Sequence, residues 1–166
     1  YDAEHGIHVD KDGHDFGTVT DYGGPFIDGI GIDTFDGIEI VVGSAHDDLF
    51  DGSANDDDFT GNAGADTFNG DDGIDRVVYD KENNPAPGDH RVIVNLSGTN
   101  FTDVSLAALL LGSYGLTPPL PGFNLVSSAP GTGQALDSFG DLDTLDSIEH
   151  FTGTQYGDVF LVSGDY

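Results

Sequence analysis

The chain predicts an all-β fold: a parallel β-roll in which short strands stack in two sheets around a thin apolar interior. Three observations lead there. From Gly43 to Val77, "GSAHDDLFDGSANDDDFTGNAGADTFNGDDGIDRV", one period of nine residues holds three residue classes at once. Gly43, Gly52, Gly61 and Gly70 keep the step, as do Asp48, Asp57, Asp66 and Asp75, and as do Phe50, Phe59, Phe68 and Val77. The 25 glycines among 166 residues are too many for a helical protein and mark frequent tight turns. Finally, 31 acidic residues against 4 basic ones give a net charge of −27, so a cationic component is missing from the chain itself.

Each unit has room for one short strand, with the residue two places after the aspartate at its centre and pointing inward. The six preceding residues, rich in Gly, Asp and Asn, reverse the chain. Two units make an eighteen-residue turn of the roll, which stacks Phe50 over Phe68 in one sheet and Val41, Phe59 and Val77 in the other. The phenylalanines fill the interior and the aspartates line the turns.

These units resemble the RTX (repeats-in-toxin) nonapeptide, G-G-x-G-x-D-x-U-x with U a large apolar residue. "GNAGADTFN" and "GDDGIDRVV" match it except for Asn62 and Asp71 at the second glycine. "GSAHDDLFD" and "GSANDDDFT" depart further, with His46 and Asn55 at the fourth place, where Asn and His tolerate a left-handed backbone better than most residues. The strong resemblance covers Glu39 to Asp80. It implies a right-handed β-solenoid that binds Ca²⁺ and folds outside the cell.

The chemistry of the turns agrees. Carboxylates stacked at close range repel one another unless a counter-ion joins them. Hard oxygen donors in number suit Ca²⁺, whereas Mg²⁺ demands a tight octahedron and retains its waters. Ion-sharing pairs are expected at Asp48 with Asp66, Asp57 with Asp75, and Glu39 with Asp57. Asn55, Gly64 and Gly73, at the fourth place of their units, complete the candidate ligands of this block. Glu149 and Asp158 are their counterparts in a second copy.

That copy is readable. "DTFDGIEIVVGSAHDDLF" (33–50) and "DTLDSIEHFTGTQYGDVF" (143–160) align at an offset of 110 with eight identities in eighteen positions. "GIHVD" (6–10) matches "VIVNL" (92–96) in alternation. The whole chain, 1–166, therefore reads as one module with a nonapeptide block at 39–80, a degenerate copy at 143–166 and an insertion at 100–135. The copies are expected to extend one parallel stack, with Phe50 and Phe160 both inward and the insertion on its flank. Asp158 is expected to bind Ca²⁺ weakly, because the units that follow Asp48 do not follow it. Within the insertion, "TDVSLAALLLG" predicts a short helix between an N-cap at Thr102 and a stop at Gly112. The chain lacks an initiator Met and a signal peptide and is expected to be excised from a longer protein.

Other chemistries fit less well. The chain has no cysteine, which excludes disulfides and thiolate metal sites. His5 and His8 lie three apart without helical patterning, and the remaining histidines are scattered, which argues against zinc. "DKDGHD" (10–15) has its glycine in the wrong place for an EF-hand and reads as a hairpin loop. The close carboxylates follow the nine-residue period, which assigns them to turns instead of a glycosidase pair. No nucleophile elbow, phosphate loop or dinucleotide fingerprint is present, so no catalytic residue is nominated and the chain is expected not to be an enzyme. The negative charge excludes nucleic acid, and the longest apolar run is too short to span a bilayer.

The expected function is a non-catalytic, Ca²⁺-folded module of a larger secreted or cell-surface protein, acting as an adhesin segment or spacer. The RTX resemblance further implies type I secretion from a Gram-negative bacterium. The alternatives are an accessory module of an exported protease, lipase or polysaccharide-modifying enzyme, or a module that binds a surface glycan or protein ligand.

Overall fold

Three-residue strands cannot stand alone; each needs a hydrogen-bonded neighbour in a larger sheet. The computed structural model describes residues 5–12, 16–22, 31–80, 90–100 and 132–162. Its strands are β1 (Gly6–Lys11), β2 (Gly17–Tyr22), β3 (Ile32–Phe35), β4 (Ile40–Val42), β5 (Leu49–Asp51), β6 (Asp58–Thr60), β7 (Thr67–Asn69), β8 (Arg76–Val78), β9 (Ile93–Leu96), β10 (Thr132–Leu136), β11 (Leu142–Asp146), β12 (His150–Thr152) and β13 (Val159–Val162). The described residues are all-β, without a helix. One sheet runs β13-β9-β10-β11-β7-β5-β1-β2-β3 and the other β12-β8-β6-β4; we call them the large and the small sheet.

From β4 to β8 the chain alternates between the sheets, so strands eighteen residues apart pair in parallel. Phe50 lies opposite Phe68 in the large sheet. Val41 lies opposite Phe59, and Phe59 opposite Val77, in the small one. The central side chain of each of these strands is buried. The Phe50 and Phe68 rings stack with centroids 5.0 Å apart and planes within 10°, and Phe59 fills the space between the sheets, 5.4 Å from Phe50. The expected register is the observed one.

The duplication is present strand for strand. β1, β2 and β3 form an antiparallel meander, and β5 adds to β1 in parallel. β9, β10, β11 and β13 repeat that arrangement. The copies join through parallel pairing of β11 with β7 and of β12 with β8. His8 opposes Leu49 as Ile93 opposes Val159, so Ile7 corresponds to Val92. The alternation match of "GIHVD" with "VIVNL" is thus out by one residue. A one-residue slip would exchange the faces of the strand, and it is Ile7 and Val9 that share the buried face with Val92 and Val94.

Two further expectations change. The stack is not wholly parallel, and the insertion does not lie only on its flank: Thr132–Leu136 enters the large sheet as antiparallel β10, as β2 does in the first copy. β1 and β2 pair antiparallel from Gly6 with Tyr22 to Lys11 with Gly17, and the Asp12 N–H donates to the Phe16 carbonyl (2.8 Å); residues 13–15 of the expected hairpin loop lie outside the described residues. Phe160 occupies the place of Phe50 but remains 41 % exposed, because β13 ends the large sheet and no strand covers it. The helix expected at Thr102–Gly112 lies outside the described residues.

Candidate metal centre

The turns between strands are of two kinds. In the first, a hydroxyl at the second place organises the loop. Ser44 Oγ accepts from the His46 N–H and donates to Asp48 Oδ1 (2.8 Å). Ser53 does the same with Asn55 and Asp57, and Thr154 with Tyr156 and Asp158. The Ser44 and Ser53 N–H groups also donate to Asp48 and Asp57. These carboxylates are therefore well supplied with donors.

In the second kind, 62–66 and 71–75, the hydroxyl is absent and the backbone is left-handed instead. Asn62 (φ 76°) and Asp71 (φ 70°) adopt it at the second place, and Gly64 (φ 118°) and Gly73 (φ 131°) at the fourth. His46 and Asn55 do not have positive φ, so the left-handed backbone expected at those two positions is corrected: the serine before each closes a different turn. Gly64 packs on the main chain of the turn beneath, where an added Cβ would fall 2.7 Å from the His46 carbonyl oxygen; at Gly73 it would fall 2.8 Å from that of Asn55. The first glycine of each unit answers to another constraint. A Cβ at Gly43, Gly61, Gly70 or Gly153 would strike the carboxylate of Asp48, Asp66, Asp75 or Asp158 of the same unit.

The aspartates point into the structure and bind main-chain amides of the neighbouring strand-turn layer. The Asp48 N–H donates to Asp66 Oδ1 and the Asp57 N–H to Asp75 Oδ1, both at 2.8 Å. The Asp66 N–H continues to Asp143 Oδ1 and the Asp75 N–H to Glu149 Oε2, both at 3.0 Å. Ile7 and Val92 start equivalent contacts to Asp48 and Asp158. One oxygen each of Asp48, Asp66, Asp75, Asp143, Glu149 and Asp158 is thus committed to joining layers, a role beyond the ligand role expected of all of them except Asp143.

What remains decides the electrostatics. Asp48, Asp57, Asp66 and Asp75 are all buried. Lys11, itself buried, reaches Asp57 from the end of β1 and neutralises it within the protein. Asp48 is raised by burial, against which its Ile7 and Ser44 hydrogen bonds work. Asp75 has no such relief. Its Oδ2 is buried without a hydrogen-bond partner. Burial, followed by the neighbouring charges of Asp57, Glu149 and Asp56, pushes the group up to about 7 despite the Asp57 N–H. A proton or a cation at that oxygen would relieve the repulsion.

Asp48 lies beside Asp66 and Asp57 beside Asp75, each pair joined by the N–H of the first residue donating to the carboxylate of the second. Glu39 meets the Asp57 layer only through its carbonyl, which accepts from the Asp58 N–H, while the residue itself is exposed. Glu149 is placed against Asp75, and Asp158 sits in a hydroxyl turn near the end of the large sheet. Among the described residues no three His, Cys, Asp or Glu side chains converge as a purely side-chain site would need. The oxygen donors that suit Ca²⁺ here are the Asp66 and Asp75 carboxylates with carbonyls of the stacked turns, a set for which the orphaned Asp75 oxygen fits.

Several working residues were not recognised in the sequence. Ser44, Ser53 and Thr154 each stand four places before their aspartate, a spacing that was available. Asp143 and Lys11 lie off the nine-residue period, as does Asp137 in the β10–β11 turn. Asp137 Oδ1 accepts from the Phe139, Gly140 and Asp141 amides, its Oδ2 is buried without a hydrogen-bond partner, and burial raises it to about 7. No family model matches the chain, and neither does any curated protein or solved structure.

Proposed function

We propose that this chain is a non-catalytic, Ca²⁺-folded module, a parallel β-roll of the RTX kind belonging to a larger secreted or cell-surface protein. The observation that carries this reading is Asp75: a buried carboxylate with an unpartnered oxygen, set among the further carboxylates of Asp57, Glu149 and Asp56. A charge of −27 disfavours compaction, and it is what remains after all 4 basic residues are counted, Lys11 at Asp57 and Arg76 at Asp58 among them. Bound Ca²⁺ would supply the remaining positive charge where carboxylates are withdrawn from water. Because the turns are assembled only when the strands stack, metal-binding free energy becomes folding free energy. A chain of this kind is least stable where Ca²⁺ is scarce and most stable where it is abundant, which suits export before folding.

The two turn types refine the site. Glycine turns, with Asp66 and Asp75, are the metal-binding ones. Hydroxyl turns, with Asp48, Asp57 and Asp158, satisfy their carboxylates internally. Calorimetric titration with Ca²⁺ should therefore lose its heat in Asp66→Ala and Asp75→Ala and keep it in Asp158→Ala. Equal losses in all three would indicate diffuse counter-ion binding, and no heat in the parent chain would end the proposal.

A further inference from the structure

We propose that the outer edge of β3 is a docking surface for the β13 edge of a second copy of this chain, so that molecules associate head to tail. The molecule already contains one such junction. In the second copy, β11 is covered by β7, with Thr144 opposite Thr67 and Leu145 opposite Phe68. The Thr144 N–H donates to the Asp66 carbonyl (2.8 Å), and the Asp66 N–H donates to Asp143 Oδ1 (3.0 Å). Leu145 and Ile148 are buried beneath this contact.

β3 repeats β11 at the 110-residue offset: Asp33 for Asp143, Thr34 for Thr144, Phe35 for Leu145 and, just beyond, Ile38 for Ile148. Yet β3 ends the large sheet. Ile38 is 41 % exposed where Ile148 is 1 %, Ile32 is 73 % exposed, and Asp33 faces solvent. At the opposite end of the same sheet β13 repeats β5, whose outer edge carries β7, but among the described residues no strand pairs with the outer edge of β13; Phe160 and Val162 are exposed at 41 % and 53 %. The two edges are the halves of a contact that the chain makes once within itself. Joined, they set Val159 opposite Thr34 and Phe160 opposite Phe35, with the Asp158 N–H, which in the single molecule donates to the Tyr156 carbonyl (3.0 Å), turned to the Asp33 carboxylate. The large sheet carries the contact, and since the edges differ, each addition leaves one of each kind open.

Proline tests this at main-chain level, because it removes an N–H and is tolerated on edge strands. The Thr34 N–H points outward, as its equivalent Thr144 shows, and Val162 corresponds to Gly52, whose N–H donates outward to the Asn69 carbonyl. Sedimentation of the intact chain in Ca²⁺-containing buffer at high salt, where the −27 charge is screened, should show association that grows with concentration. Thr34→Pro and Val162→Pro should each remain monomeric while retaining the β-sheet circular dichroism of the parent. Their equimolar mixture should form a one-to-one dimer, since each keeps the edge that the other has lost. Ile32→Lys repeats the β3 test on an exposed side chain without altering the main chain. A folded parent that stays monomeric from micromolar to millimolar concentration overturns the proposal. So does association of Thr34→Pro equal to that of the parent.

Discussion

Asp57 and Asp75 occupy the same place in neighbouring layers, yet the protein treats their charges differently. Asp57 receives a buried lysine; Asp75 receives only one amide and the repulsion of other carboxylates. Lys11→Met should strand the Asp57 charge and cost about 3–5 kcal/mol, the usual penalty for removing one partner of a buried pair. Adding Asp57→Asn to it should recover most of that loss in denaturant unfolding. Asp75 predicts the pH dependence. Its folded value near 7 stands above the ordinary 3.8, so between these values the folded chain holds a proton that the unfolded chain has released. Stability of the metal-free chain should therefore fall as pH rises from about 4 to about 7 and then level off, with Asp137 acting in the same direction. Asp75→Asn should flatten much of that slope and, without metal, stabilise the fold at neutral pH by about 1–3 kcal/mol. Unfolding curves across pH in chelator measure both effects.

Strands and turns differ in how much the sequence discloses. The strands of the nonapeptide block were legible to the residue, because one inward side chain per nine residues fixes both register and face: Phe50, Phe59, Phe68 and Val77 all lie where the period puts them. Phe59→Ala, which opens a cavity touching both sheets, should cost about 3–5 kcal/mol. The positions of the candidate ligands were equally legible, but their bonding was not. A carboxylate reads the same whether it meets a metal, a lysine or an amide, and the amides that join one layer to the next come from eighteen or more residues away. The left-handed places shifted for a similar local reason, since a serine two residues ahead of His46 and Asn55 closes the turn without positive φ. Ser53→Ala should cost about 1 kcal/mol through that turn, whereas Ser53→Thr should retain most of the stability, as Thr154 does the same work in the second copy. β2 and β10 escaped notice as strands because neither keeps the nine-residue period; their places follow from hairpin pairing with β1 and β9.

At the scale of the molecule, one large sheet carries two copies of a single arrangement, and the 110-residue offset anticipated that they would stack. The sheets account for the shape but not for the charge, which in the folded state draws carboxylates together in buried turns. On the proposed reading Ca²⁺ is the component that makes this arrangement favourable, and the melting temperature of the intact chain against free Ca²⁺ tests that claim most directly. A ligand that binds only the folded chain adds about 2.7 kcal/mol per site at about one hundred times its Kd. The melting temperature should therefore be lowest in chelator and climb with the logarithm of Ca²⁺ concentration up to about 1 mM, the range of extracellular modules, while equal Mg²⁺ reproduces little of the rise. A melting temperature that stays constant from chelator to saturating Ca²⁺ would contradict the account.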